Sequence, residues 1–564
     1  MTGAASRIGG PTAAVAAVTA LVAMPLLVIA ARVGADTGGL WSHLVATVLP
    51  GYLRNTLWLA FGVAATTCVL GVTTAWLVTL CRFPGHRVLR WALLLPLAIP
   101  SYLGAYAYTD LLQFAGPVQT WLRESLGWSA GDYLFPDIRS LGGAVAILSL
   151  ALYPYVFLAA RAAFLEQSVC MLEVSRTLGL GPVASFFRVA LPLARPSIIA
   201  GLTLVLMETL AEFGAVQHCA VDTFATGIYR TFTLPDRHAL TAAAQLSACL
   251  LLLIGLLLAT EAVARRAARF HHTSTRYRRL PSWQLRGPSA AAAFVCCTLP
   301  VVLGFVVPAA LFAQKTWRAG DARARDTFFE FGANSLFLGA ISALAAVALA
   351  TAVAFGRRLE PTPSNRLMAR VAGIGYAVPG AVIAIGVLIP AIWLDVRLDR
   401  VLGGLFGREV GLLVTGTAAA LLIGYQTRFL AVSLNLVQAG LTRLRPSVDH
   451  AARTLGASRL RMLARVHLPM LRSSLLAAGL LVFVDVVKEL PATLILRPFD
   501  LDTLAVRVYR LASDERLDEA STGALAIIAI GLLPVIVLSH LLDRARPGAE
   551  DGEADPILRS VEPR

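Results

Sequence analysis

Two stretches of this chain set ionisable groups in otherwise apolar sequence: METLAEFGA at 207–215 and VDVVKELPA at 484–492. Each carries two carboxylates, Glu208 with Glu212 and Asp485 with Glu489, and the second adds Lys488. The two pairs lie 277 positions apart. A spacing of four predicts that each pair shares one face of a helix. An acid at the centre of a membrane-spanning helix costs about 2.5–3.5 kcal/mol on the insertion scale and usually faces a cavity or a partner. Two readings stay open. In one, these groups serve helix packing, with Lys488 neutralising one acid and another protonated. In the other, the four acids border a pathway and assist a cation, and Lys488 leaves the site acidic by three charges when all are ionised.

Groups that would perform catalysis are missing from the sequence. A phosphate-binding loop needs Gly-Lys-Ser/Thr, and the lysines stand only in Gln314-Lys315-Thr316 and Val487-Lys488-Glu489. There is no HExxH, GxSxG or Cys/His metal cluster, and the seven cysteines show no CxxC spacing. They read as small apolar packing residues. The expectation is a chain with no catalytic residues and no cofactor of its own, its metal ligands unassigned.

The elements that position the acids belong to a membrane. The 564 residues are 57% hydrophobic and only 15% charged, with a mean hydropathy of +0.70. A soluble domain carries about 25% charged residues, so several soluble domains are excluded. Crossing the hydrocarbon takes about 20 mostly apolar residues. Twelve such runs occur, near 12–32, 53–80, 91–114, 141–160, 196–220, 239–262, 290–313, 333–355, 371–394, 410–432, 473–496 and 522–541. Asp485, Lys488 and Glu489 interrupt the eleventh. Prolines such as Pro25, Pro96, Pro100 and Pro379 are tolerable within spans. Twelve spans put both termini on one side. The segments 1–11, 81–90, 161–195, 263–289, 356–370, 428–472 and 542–564 on that side hold 31 Lys and Arg, against 17 opposite. The positive-inside rule places both termini in the cytoplasm. The net charge of +15 is therefore read as topology. The densest cluster, Arg265 to Arg286, has little aromatic interleaving and reads as a linker, not a nucleic-acid site.

The chain repeats itself. EVSRTLGLGPVASFFRVALPLARPS at 173–197 returns as HAARTLGASRLRMLARVHLPMLRSS at 450–474, with Arg176, Thr177, Leu178, Gly179, Arg188, Leu191, Pro192 and Ser197 among the residues that recur at one offset of 277. Upstream, Asn55 and Pro100 align with Asn334 and Pro379; downstream, Thr223, Ala225, Tyr229 and Arg230 align with Thr503, Ala505, Tyr509 and Arg510. The predicted fold class is an all-α polytopic membrane protein, two parallel six-helix repeats related by a pseudo-twofold axis along the membrane normal. The predicted segments are a cytoplasmic N-terminus at 1–11, a first repeat at 12–265 (core 53–262), and an Arg-rich cytoplasmic linker at 266–288. A second repeat at 289–543 (core 333–541) and a polar cytoplasmic tail at 544–564 complete the chain. The N-terminal run has its counterpart in the second repeat, which argues against a cleaved signal peptide.

Between the fourth and fifth spans of each half, the repeated loop reads as a short helix, a Gly turn, an amphipathic helix and a helix-restarting Pro. That is the build of a docking element on a cytoplasmic face. These loops resemble the EAA loops of permease subunits of type I ATP-binding-cassette (ABC) importers. Glu173, Gly179, Val189, Leu191 and Pro192 fall on that pattern, as do Ala451, Ala452, Gly456, Val466, Leu468 and Pro469, while His450 takes the glutamate position of the second copy and Asp449 precedes it. The resemblance covers about residues 50–545. It implies that each loop docks on one subunit of a separate ATPase dimer, which binds the ATP.

The sequences around the acids, METLAEFGAV with FATGIYRTF and VDVVKELPATLILRPFDLDTLAVRVYRLASDERL, look like those of fused twelve-span ferric-iron permeases. That resemblance implies a bacterial inner-membrane protein that receives iron from a periplasmic or lipid-anchored binding protein, expected to dock on the outer loops at 222–238 and 499–521. Within the class, thiamine, another metal, a polyamine or an oxyanion is an alternative cargo. Outside it stand an ion-coupled secondary transporter, which has no need of paired docking loops, and a structural or sensory protein, which explains neither repeat feature.

Overall fold

The computed structural model describes residues 10–129, 131–166, 177, 179, 181–266, 282–319, 325–406 and 411–544. Among these, strand is confined to Cys81–Arg82 and Trp283–Gln284, which pair in parallel. The rest of the regular structure is helical, as a chain in lipid must be to satisfy its backbone within each segment.

Among the described residues, eleven helices are long and apolar enough to span a membrane, and a pair bent by 90°, His86–Ala98 with Ser101–Leu126, brings the number to twelve if counted as one. The run at 91–114 is thus not a straight span. Proline disfavours helical backbone in the residue before it. Ile99 and Val378 are extended, with ψ of 114° and 126°, and helices begin anew at Ser101 and Gly380. Pro100 and Pro379 therefore start helices, where their missing N–H costs nothing, and do not sit within them.

The first helix of each half packs on the other half. Val15, Val18 and Val22 of Gly10–Arg32 are buried with Ala350, Val353, Ala354 and Leu430, and the Thr12 hydroxyl donates to Glu360 at 2.6 Å. In return Ala290, Ala293 and Cys297 of Pro288–Val301 are buried with Leu89, Leu93 and Tyr153. This exchange ties the halves together through apolar contact.

Residues that repeat in sequence also repeat their contacts. The Asn55 amide donates to the Asp222 carbonyl at 3.0 Å, and Asn334 to that of Asp502 at 3.2 Å. The Phe224 N–H donates to the Thr56 hydroxyl at 3.3 Å, and the Leu504 N–H to Ser335 at 2.8 Å. Thr223 and Thr503 cap the helices Phe224–Phe232 and Leu504–Ser513. Each half thus holds the loop after its fifth span with the same polar hooks.

Candidate functional site

The fifth spans end at the acids. Helix Leu191–Ala211 stops at Glu212 and helix Leu468–Lys488 at Glu489; both residues are extended, with ψ of 125°. Short helices Gly214–His218 and Pro491–Leu496 come next. The expected single helix face for each acid pair is therefore corrected: the second acid lies at a helix break and caps the short helix beyond it. The Ala215 N–H donates to Glu212 and the Ala492 N–H to Glu489, both at 2.9 Å. A carboxylate is well suited to such free N–H groups.

Both breaks face one cavity of about 160 Å³. Glu208, Glu212, Asp485, Lys488 and Glu489 all line it, so the structure brings the predicted pathway residues together. Ser101 donates a short hydrogen bond to Glu212. Tyr155 and Tyr376 line the cavity together with Glu208. The Lys488 ammonium donates to the Leu97 carbonyl at 3.0 Å. Among the described residues no group of three or more His, Cys, Asp or Glu is arranged to hold a metal ion.

Arg428 is the residue that sequence reasoning missed. The sequence assigns it to the cytoplasmic segment 428–472, but it lies within helix Ala418–Thr442, is only 9% exposed, and reaches both oxygens of Glu489 at 3.2 Å. Its position inside the run at 410–432 was the available signal, since a buried guanidinium needs a partner as much as a buried acid does. With Arg428 the cavity holds four acids and two bases, a formal charge of two negatives and not three.

The repeated loops connect directly to this cavity. Glu173 lies outside the described residues. Gly179 and Gly456 adopt positive φ, 75° and 79°, which only glycine takes without strain. Beyond the turns the chain does not stop and restart at Pro192 and Pro469, as expected from sequence. It runs as one rod, Val183–Ala211 in the first half and Arg459–Lys488 in the second. A π-turn, Phe186–Ala190 or Leu463–His467, precedes each proline. The wider π spacing accommodates a ring that would collide with an α-helical carbonyl. Rods of 29 and 30 residues are about 45 Å long at 1.5 Å per residue. They lead from the loop surface to the acids.

Within the loops, Val189, Leu191, Pro192, Val466 and Leu468 are half-buried and Pro469 is exposed. His450 is exposed, whereas the adjacent Asp449 is buried. Arg358 Nε and Nη2 donate to Asp449 at 2.7 and 3.2 Å, and His467 Nε2 lies 2.8 Å from its Oδ1. Burial pushes this carboxyl up, but the hydrogen bonds from Arg358 and His467 outweigh it and hold Asp449 below the usual range. In the first loop, tilted aromatic contacts are found instead: the Trp76 ring lies 5.1 Å from Phe186 and 5.4 Å from Trp283, centroid to centroid. Val183, Phe187, Leu455 and Leu460 project from the two loops with more than half of their surface exposed.

Residues 68–269 and 345–547 each match the family described as the binding-protein-dependent transport system inner membrane component. The chain belongs to that family, as a fused, two-repeat permease of an ABC importer in the inner membrane. Among its relatives it is 24% identical over 493 residues to the Fe(3+)-transport system permease protein FbpB 2 of Haemophilus influenzae, covering 86% of this chain and 89% of that protein. It is 33% identical over 145 residues to the molybdenum transport system permease protein ModB of Escherichia coli (26% of this chain, 60% of ModB). To the sulfate transport system permease protein CysT of the same species it is 30% identical over 180 residues (31% and 61%).

Proposed function

We propose that this permease carries a cation, ferric iron, through the cavity between its two fifth spans, driven by ATP hydrolysed on a separate pair of ATPase subunits. The observation that carries this reading is the lining of the cavity, with four carboxylates to two bases. An oxyanion site needs an excess of donors, whereas this one has an excess of acceptor oxygens, which suit hard cations. The relative named for Fe(3+) transport aligns over 86% of this chain, and those named for molybdenum and sulfate over 26% and 31%.

In the proposed cycle the loops at 173–197 and 450–474 face the cytoplasm, consistent with the 30 basic residues left on their side once Arg428 is assigned to the cavity. Each docks on an ATPase through exposed apolar residues such as Val183, Phe187, Leu455 and Leu460. A loaded binding protein docks on 222–238 and 499–521. Closure of the ATPases moves the rods and opens the cavity outward, by favouring that state over the other. The test is uptake into proteoliposomes containing the chain, its ATPase and its binding protein, with radiolabelled iron, molybdate and sulfate supplied in parallel. ATP-dependent iron uptake that falls in Glu208→Gln, Glu212→Gln, Asp485→Asn or Glu489→Gln is expected. Wild-type uptake by all four variants, or uptake of an oxyanion without iron, overturns the reading.

A further inference from the structure

The halves diverge where their acids are held. In helix order, Ser101 corresponds to Gly380 and Ala151 to Arg428, since Ser101 and Gly380 each begin a helix, and helices Leu141–Glu166 and Ala418–Thr442 begin 277 positions apart. In the first half Ser101 donates to Glu212. In the second half the serine's place is a glycine and the acid is held by a guanidinium, 3.2 Å away. Gly380 is required by that pair: a Cβ there would collide with both Arg428 Nη1 and Glu489 Oε1. Arg428 Nε is buried with no hydrogen-bond partner among the described residues, and the guanidinium also lies within electrostatic reach of Glu208 and Asp485.

We infer that Arg428 is the internal counter-ion of the pathway, holding the closed state by occupying Glu489 and yielding that acid to the cargo when the path opens. What replaces the guanidinium rests on the cation reading above; the latch itself does not. Its two partners sit on different elements. Arg428 belongs to Ala418–Thr442, whereas Glu489 ends the rod that begins in the second repeated loop. A displacement of that rod therefore separates the pair. Withdrawing Arg428 leaves four acids and Lys488, a formal charge that complements a trivalent cation. Buried ion pairs are better suited to specifying a state than to adding stability, which fits a contact made in one half only.

The experiment uses the assembled complex in liposomes without binding protein, reading ATPase activity and entry of Co²⁺ into vesicles loaded with calcein. Arg428→Gln and Gly380→Ala should each raise both readings, the ATPase by roughly three- to tenfold as the closed population is lost. Gly255→Ala, whose Cβ meets nothing within 4 Å, should change neither. If Arg428→Gln fails to assemble because Glu489 is left unpaired, the double variant Arg428→Gln, Glu489→Gln removes both charges and should show the same rise. Wild-type ATPase and Co²⁺ entry in both the double variant and Gly380→Ala would overturn the inference. If the wild-type complex imports an oxyanion and not iron, the cation reading fails, and the basal ATPase result still decides the latch.

Discussion

Asp449→Asn probes how the second repeated loop is anchored. The Asp449 carboxylate receives two donors from Arg358 at 2.7 and 3.2 Å and lies 2.8 Å from His467. Removing its charge leaves Arg358 one neutral amide oxygen at position 449 in place of the carboxylate, beside the carbonyls of Leu441 at 2.6 Å, Leu444 at 3.0 Å and Arg445 at 3.5 Å around the end of helix Ala418–Thr442. Breaking a fully buried pair costs about 3–5 kcal/mol. Here the side chains keep 15% and 13% of their surface and the guanidinium keeps carbonyl partners, so the cost should be about 2–3 kcal/mol. Because the anchor is local, that energy should appear as faster amide exchange over 446–467, by roughly 30- to 150-fold. His450→Ala, at an exposed position, should stay within about 0.5 kcal/mol. Hydrogen exchange followed by mass spectrometry on the purified complex measures both. Unchanged exchange in Asp449→Asn alongside acceleration in His450→Ala would refute the assignment of the buried role to Asp449. The sign of the pH dependence comes from the depressed native value. The contribution is whole above about pH 5 and is lost only as the pH falls through that native value.

Gly71→Ala places a methyl 2.7 Å from Val156 Cβ and 2.8 Å from the Phe157 nitrogen. It should cost about 1–3 kcal/mol by overpacking, seen as a lower thermal midpoint in detergent; Gly479→Ala, with its nearest neighbour at 3.7 Å, should not shift it. Asn334→Ala removes the donor to the Asp502 carbonyl and should cost about 1 kcal/mol, read as faster exchange in Leu504–Ser513 and weaker stimulation of the ATPase by the binding protein. Trp283→Ala removes the ring packed on Trp76 and should cost about 2 kcal/mol at this half-buried site. Exchange should rise at 81–85 and 186–190 and stay unchanged at 463–467.

The repeat, the apolar runs and the intramembrane acids were legible because each is a pattern along the chain. Lipid forces the backbone into helices, and a charge placed there stands out against its neighbours. Asn55 and Asn334 illustrate the gain: an identity at one register in both halves becomes the same hydrogen bond to the loop after the fifth span. Ferric iron as the particular cargo, and the partners, were expected only through resemblance, since no spacing in the chain states them.

Other features depended on groups distant in sequence. A four-residue spacing says nothing of a helix that breaks at its second acid, because Glu212 and Glu489 gain more by capping the next short helix than by continuing the last. His450 aligned with the loop glutamate, yet the buried contact belongs to Asp449, because Arg358 and His467 come from other elements to meet it. Arg428 sits 61 positions from Glu489, and nothing along the chain connects them. Sequence determined that acids would lie in the membrane and repeat in both halves. The tertiary structure decided which of them would be paired, because a buried charge is held by whatever the fold brings within 4 Å of it.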